Sequence, residues 1–225
     1  MESTSKQTLP VLLLLLFLPG CVDLDTTNID TKDYRSQVRF ANLAVGVGDA
    51  TSIRIDGEAY GSVAFAEAGA YKDIPAGSRS LSIVFSQIPE TTYTKVFETD
   101  RKGTMFIVGS GPTVEHLFAI ERYLFEAPGV SDGALVRVFH ASPDVGSLRV
   151  AGSASGSPDY LTTGLPYKSA TGYAKVAPSS YIFTLTSGAD TLFKNVTYQF
   201  ASNKRYTLTL FNRKAVLQQK LFVDD

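Results

Sequence analysis

The chain has no tryptophan, one cysteine, two methionines and two histidines among its 225 residues. A single cysteine cannot pair within the chain, so an internal disulfide is excluded, as is a zinc site built on several cysteines. The histidines, His116 and His140, are too few for a histidine-only zinc centre, so a metal would have to recruit carboxylates. Neither sign of charge is in excess, with Lys+Arg 21 against Asp+Glu 22. No Lys/Arg cluster stands out either, so the concentrated basic face needed for a nucleic-acid backbone is missing and nucleic acid is not expected as a partner. No apolar run reaches the roughly 20 residues of a membrane-spanning helix. No Gly-rich loop suited to cradling phosphate stands out, and no cofactor is implied. Stability must come from a packed apolar core.

What is present begins with an apolar run, Leu9 to Leu18. Its length fits the central region of an export signal, roughly 7–15 residues. It ends in Leu18-Pro19-Gly20-Cys21, which resembles a bacterial lipobox, where the cysteine is acylated (palmitate-type chains) and becomes the first mature residue. Pro19 departs from the usual small or hydroxyl residue, and Glu2 weakens the positive start set by Lys6. Acylation would explain why the lone thiol sits at the end of the apolar run. Residues 1–20 are therefore expected to be a lipoprotein signal peptide, and 21–34 the acylated Cys21 with a flexible tether. The tether is polar and acidic, and fully extended it would span some ~40 Å. Val22 after the cysteine favours the outer membrane by the enterobacterial sorting rule. The expected location is exported and lipid-anchored to the cell envelope, at the outer membrane or cell surface rather than the inner membrane.

Beyond the tether the sequence repeats with a period near 100 residues. Gln37-Val38-Arg39-Phe40-Ala41-Asn42 resembles Leu135-Val136-Arg137-Val138-Phe139-His140. Ala70-Tyr71 to Gly77 resembles Gly172-Tyr173 to Ser179. The strand-like Ser80–Phe85 and Gly103–Val108 match Ser180–Leu185 and Arg205–Leu210, in the same order. Within each copy, Val, Ile, Thr and aromatic residues alternate with polar ones, as in Ser52-Ile53-Arg54-Ile55-Asp56, a half-buried strand followed by the turn former Gly57. Turn signals recur every 8–12 residues, and no helical period is evident. The pattern predicts an all-β protein with two tandem immunoglobulin-like or transthyretin-like β-sandwich domains, at 35–130 (divergent copy) and 131–225 (clearer copy). Pro128 to Gly133 reads as the short linker. Gly152 to Gly156 reads as a flexible hairpin loop.

Val136-Arg137-Val138-Phe139-His140-Ala141-Ser142-Pro143-Asp144 is similar to the opening strand and loop of domain-of-unknown-function family 4397. Gly172-Tyr173 and Ala177-Pro178 in copy two, and Tyr71 with Pro75-Ala76-Gly77 in copy one, match its later segments. The resemblance covers nearly all of 135–211 and extends more weakly over 37–109, where Phe40 to Ala44 replaces the His140-to-Asp144 loop. It implies a β-sandwich of this kind in exported, often lipid-anchored proteins, and no established chemistry.

The candidate chemistry is sparse. His140, Ser142 and Asp144 carry the letters of a hydrolase triad, but three residues within five positions rarely bring base, nucleophile and acid into line. A turn at Ser142-Pro143-Asp144 with locally bonded His140 accounts for them. Asp144, Asp159 and Asp190 fall in expected loops without a calcium motif. Tyr71 and Tyr173 occupy equivalent positions and are expected to pack the sandwich in both copies. Tyr160 and Tyr167, with His140 and Asp144, are the candidates for ligand contact. The expectation is a non-catalytic binding or structural module for an envelope protein or glycan, attached to a membrane by its lipid. The alternatives are an envelope hydrolase using His140 and Asp144, and an assembly subunit pairing through its sheet edges.

Overall fold

Side chains alternate across a pleated strand, so one strand can serve two different layers. That property organises this protein. The structure is a computed structural model that describes residues 34–127, 129–154 and 159–224. The apolar run, Cys21 and the tether up to Asp33 lie outside the described residues, as do Pro128 of the linker and part of the 152–156 loop.

Copy one contributes β1 (Arg35–Asn42), β2 (Ala50–Ile55), β3 (Glu58–Ala64), β4 (Lys72–Pro75), β5 (Gly77–Phe85), β6 (Thr91–Phe97), β7 (Arg101–Ser110) and β8 (Thr113–Tyr123). They form two sheets, ordered β4-β1-β7-β8 and β3-β2-β5-β6. Copy two contributes β9 (Ala134–Ala141), β10 (Leu148–Ser153), β11 (Asp159–Leu165), β12 (Ser169–Ala170), β13 (Ala174–Val176), β14 (Ser180–Ser187), β15 (Asp190–Gln199), β16 (Lys204–Phe211) and β17 (Gln218–Val223). Its sheets repeat the order: β9, β16 and β17 side by side, with β12 and β13 both pairing the outer edge of β9, and β11-β10-β14-β15 opposite. In both copies the first strand runs parallel to the next-to-last, β1 with β7 and β9 with β16. The sequence repeat is thus a repeat of topology, and the expected all-β pair of sandwiches is what the chain forms. Among the described residues the only helical element is the 3-10 turn Lys214–Val216.

Local chemistry sets the turns. Asp56 and Gly57 both take positive φ, 51° and 85°, between β2 and β3. That is the geometry of a type I′ hairpin turn, for which Asp-Gly is strongly favoured. Asp56 also accepts the backbone N–H of Ser80 at 2.8 Å, tying the turn to β5.

Three apolar clusters fill the layers. Val38, Phe40, Ile53, Ile83, Phe97 and Met105 are in the core of the first sandwich. Val136, Val138, Val150, Phe183, Leu208 and Leu210 are in the second. The alternate residues of the same strands form the third: Ala41, Phe106 and Val108 meet Phe139, Ala141 and Phe211. The rings of Phe106 and Phe139 stack with centroids 4.2 Å apart. The inner sheets of the two copies therefore pack face to face, and β1, β7, β9 and β16 are buried on both sides.

Strand direction gives the molecule two distinct ends. Arg35 pairs with Pro75, and Ala134 pairs with both Val176 and Lys204. Tyr34 and Asp224 consequently lie at one end, here called the tether end. The segments 43–49, 65–70, 142–147, 166–168 and 212–217 lie at the other, the loop end. Lys168 of copy two ion-pairs with Glu115 of copy one at the loop end (2.6 Å), and Arg205 donates to the Glu121 carbonyl towards the tether end.

Because the middle cluster joins both cores, Phe139→Ala is expected to destabilise the whole folded part by about 3–5 kcal/mol. Urea unfolding followed by circular dichroism should move as one transition. Two separated transitions in the wild-type protein would show the sandwiches to be energetically independent.

Candidate functional site

A cluster of buried ionisable groups lies between the two sandwiches. Arg39 on β1 and Arg137 on β9 point out of their own sandwich and into the shared layer. Their side chains are 7% and 3% exposed. Charges this deep must be paired and hydrogen-bonded. Arg39 donates to Thr104 Oγ1 at 2.8 Å and Arg137 to Thr207 Oγ1 at 2.7 Å. Each also crosses to the other copy. Arg39 meets Asp224 at 2.5 Å and the Val223 carbonyl at 2.6 Å, while Arg137 meets Glu121 at 3.7 Å and the Ile120 carbonyl at 2.9 Å.

The carboxylates are held in the same repeated way. Thr104 and Tyr71 both donate to Glu121, at 2.5 and 2.7 Å. Thr207 and Tyr173 both donate to Asp224, at 2.5 and 2.7 Å. Tyr71 also lies under Arg39 (4.6 Å to the ring centre), and Tyr173 under Arg137 (4.7 Å). These tyrosines are equivalent, as their sequence positions indicate. They belong to the layer between the sandwiches, however, where their hydroxyls find carboxylates, and neither packs within its own sandwich core. Burial above all, and then the Asp224 charge, pushes the Glu121 carboxyl up from its ordinary value, with Arg39 and Arg137 opposing. Burial likewise raises both tyrosine hydroxyls. The charged side chains of this cluster are sealed from solvent, and each is spent on partners within it.

His140 ends β9 and is fully buried. One ring nitrogen, Nε2, lies 2.9 Å from the Gly146 carbonyl, and Nδ1 accepts the Ser142 N–H at 3.4 Å. The Ser142 hydroxyl turns away and donates to the Asn212 carbonyl at 2.6 Å. Asp144 accepts the Lys214 N–H at 2.7 Å. The Ser142 hydroxyl also reaches Asp144 Oδ1 at 3.4 Å, while the imidazole bonds to backbone groups, the Gly146 carbonyl and the Ser142 N–H, so the three residues are neighbours in loop-closing bonds. Asn42 in copy one occupies the position of His140, and its Oδ1 accepts the Ala44 N–H, also two residues on. Desolvation lowers the His140 pKa from its ordinary value.

Of the other candidates, Tyr167 is half-buried at the loop end, edge-on to His140 with centroids 6.1 Å apart and beside Lys168. Tyr160 lies on β11, and its side chain is outside the described residues. Asp190 begins β15 and ion-pairs with Lys214 at 2.6 Å. This pair sits at an open cleft of about 480 Å³, whose wall includes Phe193, Val216 and Leu217. Copy one closes the matching gap between β6 and β8 with Tyr93, which donates to the Val114 carbonyl at 2.6 Å. No group of three or more His, Cys, Asp or Glu side chains suited to a metal occurs among the described residues.

Sequence reasoning missed Glu121 and Asp224. Each sits near the end of its copy's last strand, and only alignment of β8 with β17 brings out their equivalence.

The fold and the sealed layer define a tandem-repeat β-sandwich protein. A family model described as a domain of unknown function (DUF4397) matches residues 36–151 and again 134–225. The chain belongs to this family and carries the domain twice. No curated protein matches it. Among solved structures, a candidate cell adhesion protein from Bacteroides uniformis is similar at 11% identity and a TM-score of 0.30, covering 87% of this chain and 98% of that one. A leucine-rich repeat protein from Bacteroides thetaiotaomicron is similar at 8% identity and a TM-score of 0.22, covering 77% of this chain and 26% of that one.

Two substitutions test the local assignments. A carboxyl whose folded pKa is raised keeps its proton in the native state while the unfolded chain has lost it. Its favourable term is therefore complete below the unfolded value of 4.5 and is lost as pH rises towards the folded value. The stability of Glu121→Gln relative to wild type should accordingly climb with pH above 4.5, by up to about 1.4 kcal/mol per pH unit. A flat difference across that range would reject the assignment. His140→Asn should fold and lose less stability than His140→Ala, which forfeits the loop bonds at about 1–3 kcal/mol. Because a buried neutral histidine is charged only on unfolding, wild type should lose stability relative to His140→Asn as pH falls through 6.5, while the like contribution of His116 stays in both proteins.

Proposed function

We propose that this chain is a non-catalytic module of the bacterial cell envelope, attached by a lipid on Cys21 and offering its loop end to a protein or glycan. The observation that carries it is where the polar groups go. The arginines and carboxylates of the middle layer, with His140 and Ser142, are consumed in contacts that hold the two sandwiches and their loops. At the loop end, Asp190, Lys214 and their neighbours stay accessible around one of the open concave surfaces of the fold. Tyr167 and Asp144 lie at the same end. The sequence Leu18-Pro19-Gly20-Cys21 supports the anchor. The tether joins the fold at the opposite end, at Tyr34, so a lipid-held molecule directs its loops away from the membrane. A hydrolase built on His140 and Asp144 is the weaker reading, since Asp144 Oδ1 is bonded to the Lys214 N–H and the Ser142 hydroxyl while the imidazole bonds to backbone groups.

Metabolic labelling with a palmitate analogue should mark wild type and not Cys21→Ala, which should move to the soluble fraction. An array of envelope glycans and envelope proteins should yield a ligand whose binding falls at least about tenfold, roughly 1.4 kcal/mol, in Asp144→Ala or Lys214→Ala. Binding unaffected by every loop-end substitution would reject the proposed surface.

A further inference from the structure

Exposed apolar side chains are distributed unevenly between the two ends. Scattered singly they would need no explanation, but a concentration at one end marks a contact surface. The large apolar residues left exposed in the tether half are Tyr34, Val96, Ile120, Phe125, Ile182 and Val223. The loop end carries only Val216 of this kind among the described residues. Strand register fixes the assignment: Val96 pairs with Ser78, Ile120 with Gly103, and Val223 with Tyr206, all near the starts of β5, β7 and β16.

The most exposed of these, Phe125, is 76% accessible and is built into a ladder. Its ring stacks on Tyr123 with centroids 5.0 Å apart, and the Arg101 guanidinium covers the Tyr123 ring at 3.6 Å. The backbone joins this ladder to the start of the fold, because Asp100 N–H donates to the Arg35 carbonyl and Leu124 N–H to the Asp100 carbonyl, both at 2.8 Å. Tyr34, 61% exposed, is the first described residue and immediately precedes that junction.

We propose that the tether end of the fold docks into the headgroup layer of the lipid bilayer, with Phe125, Tyr123 and Tyr34 as interfacial aromatics and Arg101 at the water boundary. The inference rests on the Cys21 anchor proposed above. Twelve residues lie between Cys21 and Tyr34, a reach of at most about 45 Å and amply short enough to bring this end to the surface. Aromatic rings with a polar edge or a cationic neighbour are the side chains that settle at a membrane–water boundary. Charge is not the attraction, since Arg35 is paired with Asp73 and Arg101 with Glu98. Docking should therefore persist in zwitterionic lipid and at high salt.

The absence of tryptophan provides the test. Full-length acylated protein carrying Phe125→Trp, Tyr34→Trp or, at the loop end, Val216→Trp is reconstituted into phosphatidylcholine vesicles containing lipid brominated near the glycerol. Flotation, mass spectrometry at Cys21 and fluorescence are measured on the same samples, with circular dichroism as the check on folding. The expected result is quenching several-fold stronger at positions 125 and 34 than at 216, unchanged by salt. Flotation with no quenching at either tether-end position, or equal quenching at all three, would overturn the docked end while leaving the anchor standing. Quenching at 125 and 34 without an acyl group on Cys21 would support the docked end and overturn the anchor. Loss of both flotation and quenching would overturn both.

Discussion

Two arginines buried between two sheets constrain the rest of this molecule. A guanidinium cannot lose its proton, so Arg39 and Arg137 must meet acceptors wherever they are placed. Each takes a threonine from its own copy and a carboxylate and a carbonyl from the other. The two copies can then pack in few ways, because sliding one inner sheet over the other would strand charges away from water. Removing one partner of such a pair leaves the other charge uncompensated, which makes the cluster a determinant of arrangement more than a source of net stability. The apolar contact centred on Phe106 and Phe139 supplies the burial, and the charges fix its register.

The internal repeat lets the same solution be built twice. Arg39, Tyr71, Thr104 and Glu121 in copy one match Arg137, Tyr173, Thr207 and Asp224 in copy two, and each set completes the other. Outside this shared layer the copies differ. Asn42 and His140 receive the N–H two residues on with different ring and amide chemistry. Tyr93 closes an edge of the first sandwich, whereas the corresponding edge of the second stays open beside Lys214. Differences thus accumulate at the loops and edges, where a side chain can change without disturbing the buried arginines and carboxyl groups.

The paired sheets have two unlike ends. Tyr34 and Asp224 lie at one end, where Tyr34 and Phe125 are exposed, and the loops that hold His140 and Lys214 lie at the other. The shared middle layer, with Phe106 stacked on Phe139, joins the two ends through both copies.

The strands, the repeat and the turn at Asp56-Gly57 were legible in the sequence, because alternation and turn chemistry act over a few residues. The equivalence of Tyr71 with Tyr173 was legible too, and so was the structural tendency of the His140-to-Asp144 loop. The partners of the tyrosines were not. Glu121 and Asp224 look like ordinary acidic residues near strand ends, and nothing local distinguishes a carboxylate facing water from one facing an arginine of the other copy. Arg39 and Arg137, each flanked by apolar residues, carried a hint that an apolar strand would bury a charge. The amino-acid order by itself determined which residues form strands and which faces alternate. Only the tertiary structure decided that the outer face of each inner sheet would be covered by the other copy. That choice depends on side chains up to 185 positions apart meeting as a set, as Arg39 meets Asp224.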